Sequence, residues 1–362
     1  MFENCYKGKR VLITGHTGFK GAWLTLWLLQ LGAKVYGVSK DIPSNPSLFE
    51  VLNLSKLMEK NYQVDIGDKE TLLQVFAEVR PEFVFHLAAQ PIVSLSYQSP
   101  VETIFTNVMG TVHVLEALRQ SKNLCIGVII TSDKCYDNVE WCWGYKETDT
   151  LGGKDIYSGS KGAAELIFKS YYHSYFKNQD IVRIASARAG NVIGGGDWAV
   201  DRVIPDCIRK WSAKQKVEIR QPQATRPWQH VLEPLSGYLN LGLSLFLGKS
   251  FGESFNFGPN SNETYTVLEL VNQLKSFWHE LVDIAIGTDL SFHEAGLLKL
   301  NCDKARAYLN WQPTLSFSET MAMTGEWYSA FYSHNTDINK ITITQIEAYV
   351  NKASNLNRNW SR

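Results

Sequence analysis

The sequence has no excess of either charge: its 362 residues carry 36 Lys and Arg against 36 Asp and Glu. A net charge of zero gives no reason to expect nucleic acid or an anionic membrane as a partner, so any phosphate site must be local. The chain also lacks an apolar run of about eighteen residues, the length that would suggest a membrane span. Its opening segment, MFENCYKGKR, has no basic stretch followed by a long apolar core, so a secretory signal is not expected. The six cysteines (Cys5, Cys125, Cys135, Cys142, Cys207, Cys302) show neither zinc-site spacing nor a small disulfide framework. They are expected as reduced thiols of a cytosolic protein, and no metal is expected. No internal repeat or low-complexity block is present.

Hydrophobic residues make up 44% of the chain, enough for a substantial core, and the length suits one large domain or two fused ones. Short β-branched runs at 11–14, 34–38, 83–89 and 126–131 alternate with helical patterns at 21–31, 69–79 and 101–119. Strand–helix alternation predicts an α/β fold with a Rossmann-type, doubly wound parallel sheet. Such sheets bind ligands outside the carboxyl ends of their strands. After Ala189 the character changes. Glycines, tryptophans and arginines cluster over 194–230, and helical patterns follow at 233–247, 267–278 and 318–331. The expected organisation is a dinucleotide-binding domain over 1–189, a smaller α/β substrate-binding lobe mainly over 190–334, and a C-terminal extension over 335–362, either a helix or a loose tail.

Gly15-His-Thr-Gly18-Phe-Lys-Gly21 follows the first strand and opens a helix. Glycines permit a tight turn and close approach of backbone to a pyrophosphate, and the helix N-terminus offers N–H groups and partial positive charge. At the end of the second strand, Ser39 is neither the acid that would hold a ribose hydroxyl nor the Arg that would favour a 2′-phosphate. That position leaves NAD and NADP open. Asp65-Ile66 closes the third strand, where the carboxylate serves either an adenine amino group or a helix N-cap.

Tyr157-Ser-Gly-Ser-Lys161 begins a helical run over 156–172, and its two ends share one helix face. A phenol with a pKa near ~10 is a poor base at neutral pH. A cation one turn away is expected to stabilise its phenolate, and Lys161 is also in reach of cofactor ribose hydroxyls.

Taken in order, Gly15-x-x-Gly18-x-x-Gly21, Asp65-Ile66, Leu87-Ala88-Ala89, Asn107-x-x-Gly110-Thr111, Thr131-Ser132 and Tyr157-x-x-x-Lys161 resemble the extended short-chain dehydrogenase/reductase family over residues 10 to 330. The resemblance implies a bound dinucleotide, a sugar-nucleotide substrate and a dimer or dimer of dimers. It places the helices at 101–119 and 159–172 on the dimer face. It also implies a catalytic triad of Ser132, Tyr157 and Lys161. The implied cofactor contacts are Gly15, Thr17, Gly18, Phe19, Lys20, Gly21, Asp65, Ile66, Leu87, Ala88, Ala89 and Asn107, with Tyr157 and Lys161.

Within the family, an acid after the hydroxyl residue resembles the sugar-nucleotide 4,6-dehydratases. Asp133-Lys134, where other branches have Asp-Glu, is similar to the CDP-glucose 4,6-dehydratase branch. So are Gly194-Gly-Gly-Asp197-Trp198 and Arg226-Pro-Trp228-Gln-His230. That branch implies NAD as cofactor and CDP-glucose as substrate, with water lost from C5–C6. In the chemistry so implied, a neutral Lys134 takes the C5 proton and a protonated Asp133 gives its proton to the leaving hydroxyl. The other assignment is a charged Asp133–Lys134 pair with water carrying the protons. A 4-epimerase or a non-catalytic dinucleotide sensor are the competing readings of the whole chain.

Arg202 and Arg226 are expected on the substrate diphosphate, because guanidinium makes bidentate contacts with it. Asn191 is expected on a phosphate or a sugar hydroxyl. Trp198 is expected to stack on the base or sugar, with Trp228 as a second candidate and core packing as the other role for each. His230 is expected to be structural, and His16 to cap the glycine turn. Trp141-Cys-Trp143 follows the catalytic strand with no role compelled.

Overall fold

Seven short strands assemble into one parallel sheet, and its central strands are runs of largely buried residues. The computed structural model describes residues 1–260, 264–278, 282–287, 297–333 and 336–362. In chain order the strands are β1 (Arg10–Thr14), β2 (Lys34–Ser39), β3 (Lys60–Gln63), β4 (Phe83–His86), β5 (Cys125–Ile130), β6 (Val182–Arg188) and β7 (Ser254–Asn256). Their spatial order is β7-β6-β5-β4-β1-β2-β3, and each pair is parallel. The order reverses between β1 and β4, the switch point at which such sheets open a ligand crevice. Every residue of β5 is buried, as expected for a central strand covered on both faces.

The helices that matter for the cleft are α1 (Phe19–Gln30), α2 (Lys69–Val79), α3 (Gly110–Arg119), α4 (Ile156–Tyr171) and α5 (Val203–Ser212). The remaining long ones are α6 (Leu232–Phe246), α7 (Val267–Lys275), α8 (Phe317–Ser333) and α9 (Ile338–Asn355). The expected single helix over 101–119 is interrupted. A short helix, Pro100–Ile104, passes through a π-turn, Phe105–Met109, before α3 begins. Asn107 lies in that π-turn, a distortion that often marks functional sites.

The expected boundary at residue 189 is crossed twice. Helix α6 is apolar nearly all round and buried, and it packs back on β5 and β6. Strand β7 then extends the first sheet through Ser254–Ser186, Phe255–Ala187 and Asn256–Arg188 pairing. The region after residue 189 is therefore not one continuous separate lobe. Nor are the described residues of the C-terminal extension, 336–362, a loose tail. Helix α9 is capped by Asp337, and Trp360 stacks on Phe2 at 5.2 Å and on Tyr349 at 5.6 Å. The two chain ends thus share the core that contains Trp27. Each fully buried aromatic of this kind contributes about 1.5–3 kcal/mol by burial alone.

Candidate active site

The carboxyl ends of the central strands open into one cleft of about 520 Å³. Its β1–β2 end is the glycine turn. Gly15 has φ +77°, and a Cβ there would fall 2.7 Å from the Ala88 nitrogen. A Cβ at Gly21 would fall 2.1 Å from the Gly15 carbonyl oxygen. Both glycines are therefore steric requirements of the turn. Gly18 does have room for a Cβ, yet it lines the cleft, so its bareness keeps backbone accessible from that side. No side chain caps the N-terminus of α1, which leaves its first-turn N–H groups for an anion. These features fit a dinucleotide pyrophosphate.

His16 does more than cap the turn. It is buried, with Nε2 2.8 Å from Asn61 Oδ1 and Nδ1 3.2 Å from Ser39 Oγ, so it pins the turn to β2 and β3. Burial lowers its pKa to about 4. Asp65 is exposed on the cleft wall and accepts a hydrogen bond from Gly67 N at 2.7 Å. The helix-cap alternative for Asp65 fails, because Asp68 caps α2 by accepting from Thr71 N.

At the other end β5 delivers Ser132, Asp133 and Lys134, and α4 delivers Tyr157 and Lys161. Asp155 caps α4 through Ser158 N at 2.9 Å, which fixes where the helix starts and so where Tyr157 points. The Asp133 carboxylate is buried. It accepts from Ser132 Oγ at 2.8 Å and from Asn191 Nδ2 at 3.2 Å, neutral donors rather than Lys134. Asn191 holds a left-handed φ of +52° to make that contact.

One electrostatic expectation is corrected. The Tyr157 phenol is not held low: burial pushes its pKa up to about 12, with Asp133 adding to the rise, while hydrogen bonding with Ser132 and the charge of Arg202 pull it down. The Lys161 ammonium lies over the phenol ring, 5.9 Å from its centroid, and burial lowers its own pKa to about 8. Lys20 behaves alike: burial and the Arg202 charge lower it to about 8. Behind Lys161, one turn along α4, the buried Glu165 carboxylate pairs with Arg188 at 2.7 Å. It also accepts from Thr131 Oγ1 at 2.5 Å and Ser186 Oγ at 2.9 Å.

All the expected cofactor contacts line the cleft except Asn107. Asn107 is buried behind the wall, accepting from Gln90 N at 2.8 Å and donating to Ser160 Oγ at 2.9 Å, so it holds the wall in place. Asn191, Arg202 and Arg226 line the cleft, and Trp198 does not. Trp198 is buried against Phe331 (4.9 Å) and Trp327 (5.7 Å), and its indole N–H donates to Tyr332 Oη at 3.2 Å. It is a core residue. Trp228 is the tryptophan on the cleft wall, and its buried indole nitrogen has no hydrogen-bond partner among the described residues.

The sequence reading missed the group at the cleft mouth. Arg202 pairs with Asp197 at 2.8 Å. Asp201 accepts from Ser94 Oγ at 2.5 Å and faces Arg220 at 3.7 Å, and all three line the cleft. Asp197 lay within a noted motif, and Asp201 directly precedes Arg202. Arg220 carried no local signal, since an exposed Arg in the bend after a short strand looks like any surface residue.

A family model described as GDP-mannose 4,6 dehydratase matches residues 12–324. The chain is 49% identical over 334 residues to the CDP-glucose 4,6-dehydratase of Salmonella typhimurium, covering 91% of this chain and 93% of the relative. It is 24% identical to the dTDP-glucose 4,6-dehydratase of Xanthomonas campestris, covering 88% and 92%. Its fold matches an epimerase from Methanothermobacter thermautotrophicus with a TM-score of 0.78 and 25% identity, covering 94% of this chain and 96% of the other. The resemblance drawn from six ordered motifs is borne out over most of the chain, which belongs to the GDP-mannose 4,6-dehydratase family.

Proposed function

We propose that this protein is a CDP-glucose 4,6-dehydratase, releasing water and CDP-4-keto-6-deoxy-glucose. The observation that carries the reading is the buried Asp133 carboxyl beside Ser132 in the same cleft as the Tyr157–Lys161 pair. Redox chemistry alone needs only Tyr157 and Lys161. An acid held next to them adds proton donation to a leaving group. The choice of CDP-glucose rests on the 49% identical relative.

Bound NAD supplies the reversible hydride acceptor and a positive charge that favours the Tyr157 phenolate. Ser132 Oγ orients the sugar O4, and Tyr157 accepts the O4 proton. The resulting 4-keto group acidifies C5, and Lys134 takes that proton. Asp133 then protonates the leaving C6 hydroxyl as water, and Lys134 gives its proton back to C5 as the hydride first taken from C4 is returned to C6, so the cofactor would end in its starting oxidised state. The two Asp133 oxygens accept from Ser132 and Asn191, so the carboxyl is positioned by neutral donors and not by an ion pair with Lys134. Lys161 holds the cofactor ribose. Arg202 acts near the reacting end, since its charge bears on Tyr157, and Arg226 and Arg220, which line the same cleft, are assigned to the diphosphate.

We assign a homodimer packed through the Pro100–Arg119 stretch and α4. Val101 is 75% exposed, and Ile104, Phe105 and Leu166 are also exposed, apolar groups on the two expected elements. The proposed location is the cytoplasm. All six cysteines are free, and no helix among the described residues is long and apolar enough to cross a membrane.

Incubation with NAD and a panel of nucleoside-diphosphate glucoses tests the reading. CDP-glucose should lose one water by mass without accumulation of reduced cofactor. Turnover of dTDP-glucose but not CDP-glucose would reject the substrate.

A further inference from the structure

We infer that His86 is a positioning residue, locked as the neutral Nε2–H tautomer, that ties the cofactor wall of the cleft to the helix bearing Tyr157. Through Thr14, Thr111, Asn107 and Ser160 it joins two parts of the site that are far apart in sequence. This inference rests on the reading of the cleft as a dinucleotide site.

The hydrogen bonds allow one assignment. Thr111 Oγ1 lies 2.7 Å from the Asn107 carbonyl oxygen, which can only accept, so the Thr111 hydroxyl proton is used there. Towards His86 Nε2, at 3.1 Å, Thr111 must therefore accept, which places the imidazole proton on Nε2. In the neutral ring Nδ1 is then bare. It accepts from the Thr14 hydroxyl at 2.7 Å, and the Thr14 oxygen in turn accepts from Ala88 N at 3.3 Å. Every donor and acceptor in the chain is satisfied by this one pattern.

Protonating Nδ1 would set two donors against each other in a site that water does not reach, because Thr14, His86 and Thr111 are all buried. Lys161, on α4, is the charged group that bears on the ring, and it disfavours imidazolium. Burial works in the same direction and lowers the His86 pKa to about 3.

The chain has a direction and two ends. Thr14 immediately precedes Gly15 of the glycine turn, and Ala88 belongs to the strand end that walls the cleft. Leu87 N also donates to the Thr14 carbonyl at 3.0 Å. At the far end Asn107 donates to Ser160 Oγ, and Ser160 donates to the Tyr157 carbonyl at 2.7 Å. The π-turn places Asn107 so that its carbonyl meets Thr111 while its amide meets Gln90 and Ser160. His86 touches no cleft surface itself. Its contribution is to fix the separation between the glycine turn and α4.

Two measurements on the holoenzyme test this. In the protein labelled with ¹⁵N-histidine, His86 should show the Nε2–H pattern and keep it from about pH 8 to about pH 5, the span in which an ordinary histidine titrates. An Nδ1–H ring, or one that gains a proton in that span, overturns the assignment whatever the cofactor does. Second, Thr111→Val should weaken NAD binding by about tenfold, whereas Thr111→Ser, which keeps the hydroxyl, should bind near the wild-type level. Equal NAD affinity in the two variants overturns the positioning role. A wild-type protein that binds no NAD rejects the proposed function instead, and leaves the tautomer to be decided by its own spectrum.

Discussion

Gly190 stands against Asp133 so closely that a Cβ on Gly190 would fall 2.0 Å from Asp133 Oδ2. The carboxyl of the proposed acid occupies the space where residue 190 would carry its side chain. Gly190→Ala is therefore expected to push the Asp133 carboxyl off Ser132 and Asn191 and to lower kcat by about 10²-fold or more. Steady-state rates on CDP-glucose check this, and a rate within a factor of about two of wild type would show that Asp133 can move without consequence.

Asp133→Asn removes the acid while keeping the shape. The expected result is a loss of dehydration of about 10²–10⁴-fold. Oxidation at C4 should survive, so reduced nicotinamide absorbance should build up on mixing with substrate. A variant that instead equilibrates the C4 epimers at full speed would favour the epimerase reading.

The two tryptophans separate binding from packing. Trp228→Ala is expected to raise KM for the nucleotide sugar by about tenfold, within the ~1–3 kcal/mol typical of stacking on a base. Trp198→Ala should cost about 3–5 kcal/mol of stability, as for other buried aromatics, with KM little changed in the folded fraction. Urea unfolding and initial rates on both variants provide the comparison.

Glu165 and Arg188 form a buried pair, with side chains 1% and 3% exposed. Breaking such a pair from one side leaves an uncompensated charge in the interior and costs about 3–5 kcal/mol. Glu165→Gln is expected to lower the urea midpoint accordingly. It should also lower kcat, because Thr131, the residue before Ser132, loses its acceptor.

Glu233 links α6 to the C-terminal region. It accepts from Thr314 N at 2.8 Å, Leu315 N at 2.6 Å and Tyr349 Oη at 2.9 Å. Burial outweighs these bonds and raises its pKa from 4.5 to about 7. The folded state then binds the proton more tightly than the unfolded chain. Its contribution is full below about pH 4.5 and declines as pH rises through about 7. Unfolding midpoints measured from pH 5 to 8 should fall through that window in the wild type, and Glu233→Gln should flatten the decline.

Sequence alone determined the local features. Short apolar, β-branched runs placed four of the seven strands of the sheet, β1, β2, β4 and β5. The spacing of Gly15, Gly18 and Gly21 announced the dinucleotide turn, and Tyr157 with Lys161 announced the catalytic helix, because these patterns depend on neighbours within a few residues. Tertiary structure decided the rest, because it depends on which distant surfaces meet. Burial set the Tyr157 phenol high, against the effect expected from Lys161 alone. Packing sent Trp198 into the core and left Trp228 on the cleft wall, although both sit in similar glycine- and arginine-rich surroundings. The return of α6 and β7 to the first sheet broke the expected domain boundary, since an apolar helix must be covered on every side. Asn107 moved from cofactor contact to support because a π-turn, invisible to helical periodicity, rotates it behind the wall.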